Sequence, residues 1–267
     1  MTETLYFAAG DGARIAYRLD GPQEGPVLVL SNSIATTLHM WDGQVVELAS
    51  SFRVLRYGFR GHGGSDPVAG AYSLDRLGRD VLELLDFLCV ARVHFLGLSL
   101  GGFVGQWLGI HAPERIERLI PVQHLAASWA SMLFRRADTQ RAFSQRSIGH
   151  GGYVRPKLVS RFDAGRQKRA VEPFRAAIIA MSPQGLAGCL AAVRDADLRR
   201  TISLITSPTL IIGGEDDKVT QASHSKAIAV AIPGAELLLL PGVHLLNVER
   251  PVEFTKAVTH FLNLGWR

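Results

Sequence analysis

Cysteine is nearly missing from this chain: only Cys89 and Cys189 occur in 267 residues, far apart and both within apolar patterns of helical spacing. Two isolated thiols supply neither a disulfide framework nor a Cys/His metal cluster, so no metal and a reducing cytoplasm are the expectation. Long hydrophobic runs are missing as well. No stretch approaches the roughly 18 uncharged apolar residues that a membrane-spanning helix needs, so no membrane partner is expected. The start, Met1-Thr2-Glu3-Thr4, has neither the basic nor the apolar segment of a signal peptide. Internal repeats and low-complexity tracts are absent.

Aromatics make up 8% of the residues and do not interleave with the basic ones, which argues against nucleic acid despite a net charge of +5. That charge is localised. Between Arg135 and Arg175 stand eleven basic residues and three acidic ones, leaving the rest of the chain slightly acidic. Such a segment reads either as solvated helix faces or as a field that draws in a small anionic substrate.

The 47% hydrophobic content and the length suit one large α/β domain, or a core with an insertion. Apolar runs of strand length alternate with helix-period segments, the pattern of a mostly parallel sheet covered on both faces. Strands are expected at 4–9 and 13–19 (an antiparallel hairpin across Gly10-Asp11-Gly12), 27–30, 52–57, 93–97, 117–122, 208–213 and 236–240. Helices are expected at 41–49, 73–88 with Ser73 as cap, 100–111, 221–231 and 252–263. From His124 to Thr201 strand-like runs stop, and helical segments such as 171–181 and one opened by Ser182-Pro183 take over. This divides the chain into a core of 1–123 and 202–267 and a helical cap of 124–201, broken at Gly149-His150-Gly151-Gly152.

Chemistry enters at Gly97-Leu98-Ser99-Leu100-Gly101-Gly102, which ends an apolar strand and opens a helix. In that context Gly-x-Ser-x-Gly is a nucleophile elbow: the serine sits on a strained turn, and only tiny neighbours fit around it. Serine is a poor nucleophile at neutral pH and needs a base, itself oriented by an acid. The order Ser, Asp, His is expected, each at the carboxyl end of a strand. His244 follows the strand ending at Leu240, and Asp217 follows the strand ending near Gly213, with Glu215 and Asp216 as adjacent rivals. His244 would act as general base and acid, and Asp217 would fix its tautomer. His62, in Arg60-Gly61-His62-Gly63-Gly64-Ser65, reads as a packing or pocket residue. Two backbone N–H groups are needed for the oxyanion: Leu100, after the nucleophile, and Ser33, in Ser31-Asn32-Ser33-Ile34. There Asn32 is the residue expected to tolerate a left-handed backbone. No cofactor is implied.

Together these residues resemble the α/β-hydrolase superfamily over essentially the whole chain, implying its eight-stranded, mostly parallel sheet with an inserted helical cap. Within it, Leu30-Ser31-Asn32-Ser33, Met40-Trp41, the run 52–57, Arg60-Gly61-His62-Gly63 and Asn247-Val248-Glu249-Arg250 are similar to 3-oxoadipate enol-lactonases. The resemblance implies hydrolysis of a small anionic enol-lactone, from the bacterial breakdown of aromatic acids, through an acyl-enzyme. Two places depart from it: Gly58-Phe59 where an aspartate usually precedes x-Arg-Gly-His-Gly, and Gln123-His124-Leu125-Ala126 where Asn-Thr-Ala tends to follow the core strand. A broad carboxylesterase, an acyl-homoserine lactonase, a cofactor-free perhydrolase, and a ligand receptor that keeps the triad are the other readings. Oligomeric state is not encoded in any of these features.

Overall fold

The computed structural model describes residues 3–122 and 172–263. The Gly149–Gly152 break, the 123–126 departure and the basic segment up to Arg169 lie outside the described residues. All eight expected strands are present: β1 Leu5–Ala8, β2 Arg14–Asp20, β3 Val27–Ser31, β4 Arg53–Tyr57, β5 Val93–Leu98, β6 Ile116–Val122, β7 Leu210–Gly214 and β8 Glu236–Leu240. They form one sheet in the order β1-β2-β4-β3-β5-β6-β7-β8. β1 and β2 pair antiparallel, β2 joins β4 antiparallel, and every other pairing is parallel.

Strand alternation sorts the core into two layers. Val29, Leu55, Phe95, Leu119 and Ile211 face helices α2 (Leu74–Phe87) and α3 (Leu100–His111), while Leu28, Val54, Leu96, Ile120 and Ile212 face α1 (Asp42–Leu48) and the final helix. Pro121 leaves a mark on this sheet. Leu119 donates to Pro208 O across the β6–β7 boundary, so the two-residue alternation turns Pro121 the same way, where it has no N–H to offer. The pairing there reduces to Val122 with Ile212 and an isolated bridge between Leu119 and Thr209.

Helix ends follow their local chemistry. The Ser73 hydroxyl accepts from Arg76 N at 3.0 Å, starting α2 as its capping position predicts. At the other end Val90 N bonds Leu85 O and Cys89 N bonds Asp86 O, a Schellman arrangement with Cys89 at φ 54 where glycine is usual. Cys89 therefore lies just past a helix and is exposed, rather than within one. After the described part of the chain resumes come α4 (Arg175–Ala180), α5 (Pro183–Asp195, capped by Ser182 with Pro183 in its first turn), α6 (Ala222–Ala231), the short α7 (Leu246–Glu249) and α8 (Pro251–Asn263).

Helix α5 meets the core at contact distances that only glycine permits. A Cβ on Gly61 would lie 2.4 Å from Gly185 Cα, and one on Gly188 would lie 2.5 Å from the Tyr72 ring. Its Leu186 and Leu190 enter one core layer and its Cys189 and Ala192 the other. Among the described residues no helix is long and apolar enough to cross a membrane.

Candidate active site

At the end of β5 the chain reverses into α3 through Ser99, which has φ 58 and ψ -112. That backbone is strained for a residue with a side chain. The strain is held by the surroundings. Ser99 N donates to Val122 O at 2.9 Å, and Gly101 N donates to Asn32 O at 3.0 Å. A Cβ on Gly97 would stand 2.1 Å from Gly101 O, and one on Gly101 would stand 2.3 Å from Ser31 O, so both glycines are required by backbone contact.

The loops after β7 and β8 are stitched together: Glu215 N bonds Leu240 O and Asp216 N bonds Gly242 O, both at 3.0 Å. This brings Asp217 and His244 into contact. His244 Nδ1 donates to Asp217 Oδ2 at 2.8 Å, with both residues buried. Glu215 and Asp216 are exposed. Burial pushes the Asp217 carboxyl up, but the charge and hydrogen bond of His244 and the donors Thr220 Oγ1 and Val219 N outweigh it and hold the carboxyl below its ordinary value. Thr220 Oγ1 also lies 3.3 Å from His244 Nδ1, so it touches both members of the pair.

The loop after β3 differs from expectation in two ways. The left-handed residue is Ala35, at φ 63, and not Asn32. Asn32 is instead a buried hub: its Nδ2 donates to Tyr57 O at 2.8 Å, its Oδ1 accepts from Trp41 Nε1 at 3.0 Å, and its own carbonyl takes the Gly101 amide. Secondly, Ser33 N donates to Met40 Sδ at 3.2 Å. The Ala35 amide goes to His62 Nε2 at 3.2 Å and the Thr36 amide to Ser33 O at 3.3 Å, which leaves the Ile34 amide as the one in this turn with no acceptor among the described residues. Leu100 N, first in α3, has no partner within the helix ladder.

Gly58 and Phe59 have clear structural consequences. A Cβ at 58 would stand 2.6 Å from His62 O, so the 58–65 loop closes onto a position where a side chain is excluded. Phe59 is buried, its ring edge-on to Tyr57 and His62. Neither Thr220 nor Met40 carries a signal along the chain that marks it as part of this site. They become visible only once the loops fold together.

A sheet of this order with a strained serine after β5 defines a class: the chain belongs to the α/β-hydrolase fold family, whose model matches residues 26–251. It is 34% identical to 3-oxoadipate enol-lactonase 2 of Acinetobacter baylyi, over 91% of this chain and 90% of that one. Among solved structures, an enol-lactonase from Burkholderia xenovorans superposes with a TM-score of 0.88 at 33% identity, covering 97% of this chain and 99% of the other. A hydrolase from Pseudomonas aeruginosa is 48% identical with a TM-score of 0.89, each chain covered to 98%.

Proposed function

We propose that this chain hydrolyses a small carboxylic ester or lactone through an acyl-enzyme on Ser99, with an enol-lactone of the 3-oxoadipate type as the substrate that fits best. The observation that carries the reading is the buried Asp217–His244 pair, at the same carboxyl edge of the sheet as the strained Ser99. Likeness to two enol-lactonases at 33% and 34% identity over nearly the full length supports the substrate class.

In this mechanism His244 Nε2 takes the Ser99 proton as Oγ attacks the lactone carbonyl, and Asp217 stabilises the imidazolium through Nδ1. The oxyanion meets the Leu100 amide and the Ile34 amide. Ile34 replaces Ser33 in this role because the Ser33 N–H is already turned to a thioether. Collapse breaks the ring C–O bond, and the enol oxygen receives the proton from His244 while remaining on the same chain as the acyl group. Water, deprotonated by His244, then releases the acid and restores Ser99, so one water is added in total. On this reading the cationic excess between Arg135 and Arg175 attracts an anionic substrate. Arg175, a described member of that set, stands 4.0 Å from Glu172.

Ser99→Ala tests the reading: turnover of an enol-lactone should disappear, and a fluorophosphonate should label wild-type protein but not the variant. Full activity in the variant would sink it. At low salt the anionic lactone should exceed an uncharged one in kcat/KM, and the difference should shrink as salt is added. Equal rates for both would remove the electrostatic part.

A further inference from the structure

We propose that Asn32 is a positioning residue for the elbow: its side-chain amide fixes the main chain whose carbonyl takes the Gly101 N–H, and so holds the Leu100 amide toward the oxyanion. This rests on the reading of Ser99 and the Leu100 amide given above.

The Leu100 N–H lies between two pinned amides. On one side Ser99 N donates to Val122 O at 2.9 Å, and on the other Gly101 N donates to Asn32 O at 3.0 Å. Ser99 itself, at φ 58 and ψ -112, has a conformation that lasts only while its surroundings impose it. Val122 is paired with both Leu98 and Ile212, so its carbonyl is set by the sheet. The Asn32 carbonyl has no such support. β3 ends at Ser31, whose pairing with Gly97 is the last rung of that ladder. The peptide joining Asn32 to Ser33 turns its N–H to the Met40 thioether, a weak acceptor.

The side chain supplies what the ladder does not. Asn32 Nδ2 donates to Tyr57 O at 2.8 Å and Oδ1 accepts from Trp41 Nε1 at 3.0 Å, with all three residues buried. A carbonyl only accepts and an indole N–H only donates, so each end of the amide has one permitted partner. Aspartate would set a second acceptor against Tyr57 O, and leucine would satisfy neither group. Both partners are held in their turn. Tyr57 ends β4 with its hydroxyl 2.7 Å from Ser31 Oγ, and Trp41 follows Met40, whose carbonyl accepts from Asn247 Nδ2 at 2.8 Å. Asn247 stands three residues after His244, so the loop that carries the base and the elbow that carries the serine are referred to one another through Trp41 and Asn32.

Asn32→Ala removes both side-chain bonds. We expect kcat on an aryl acetate to fall between about 10- and 100-fold, short of what outright deletion of an oxyanion donor costs, with KM changed less than about two-fold because the oxyanion forms only after binding. Trp41→Phe keeps a ring against Phe254 and removes the N–H; it should lower kcat about three-fold, and it carries the test if Asn32→Ala does not fold. Combined, the two substitutions should cost no more than Asn32→Ala alone, since Trp41 acts through the amide that is gone. Losses that multiply, a loss that falls on KM, or kcat within about two-fold of wild type in both single variants would make Asn32 a packing residue and overturn the proposal. Exchange of the Gly101 amide, followed by NMR, reads the hold without any turnover. It should accelerate at least about three-fold in Trp41→Phe and further in Asn32→Ala, while that of Leu119, bonded to Pro208 O, stays as in wild type. Equal acceleration at both amides, or none at Gly101, also overturns the proposal. Activity that survives Ser99→Ala would instead mark failure of the hydrolase reading, and exchange at Gly101 would still decide whether Asn32 holds the elbow.

Discussion

Replacing Gly97 by alanine puts one methyl group where the structure has least room for it. The added carbon would sit 2.1 Å from Gly101 O, 2.3 Å from Gly101 C and 2.8 Å from Gly102 N, all backbone atoms of the first turn of α3. No side-chain rotation relieves such a clash. Ordinary contact is restored only if β5 and α3 separate by about 1 Å, and Ser99 is the single residue that joins them. Displacement of a reacting group by that distance costs about 100-fold in rate, while overpacking costs about 1–3 kcal/mol of stability. The assay is kcat/KM on an aryl acetate, corrected for the labelled fraction of Ser99, beside thermal unfolding of the same preparation. A Gly97→Ala protein within two-fold of wild type in both would refute the claim that close backbone approach shapes the elbow. Gly43 is the matched control, because nothing lies within 4 Å of a Cβ there and it sits in α1. Gly43→Ala should raise stability by about 0.5–1 kcal/mol and leave kcat/KM unchanged.

Thr220→Val removes a donor from the carboxylate oxygen that His244 also uses. Loss of one hydrogen bond to a charged group should lower kcat/KM on an aryl acetate about ten-fold, with Thr220→Ser restoring it; an unchanged rate would contradict this role. His62 and His94 are both buried, with pKa values of about 4 set chiefly by burial, so the unfolded chain takes up protons below about 6.5 that the folded one refuses. Stability is therefore full above about pH 6.5 and declines toward about pH 4, by at most about 3 kcal/mol for each ring. Urea midpoints across that window should flatten in His94→Leu, and a midpoint curve as steep as wild type would exclude His94 as a contributor.

Much of the frame was readable along the chain because its signals are local. Strands announce themselves as apolar runs, Ser73 and Ser182 cap the helices they precede, and the order of Ser99, Asp217 and His244 follows the order of the strands that carry them. Of the three adjacent acids after β7, Asp217 is the buried one and the one that meets His244. The turn after β3 was less legible. Asn32 looked suited to a left-handed backbone, yet tertiary bonds to Tyr57, Trp41 and Gly101 make it a hub, and the left-handed residue falls three positions later on Ala35. Which amide points where depends on Met40 and His62, and His62 is distant in sequence from the turn it holds. Thr220 resembles any loop threonine until β7 and β8 bring their ends together.

Pro121 gives the sheet a grain. Thinned pairing between β6 and β7 leaves a seam, with Ser99 on one side of it and the Asp217–His244 pair on the other. Asp217 and His244 are stitched together by their two loops, whereas Ser99 is fastened on the other side of the seam by its own bond to Val122 O.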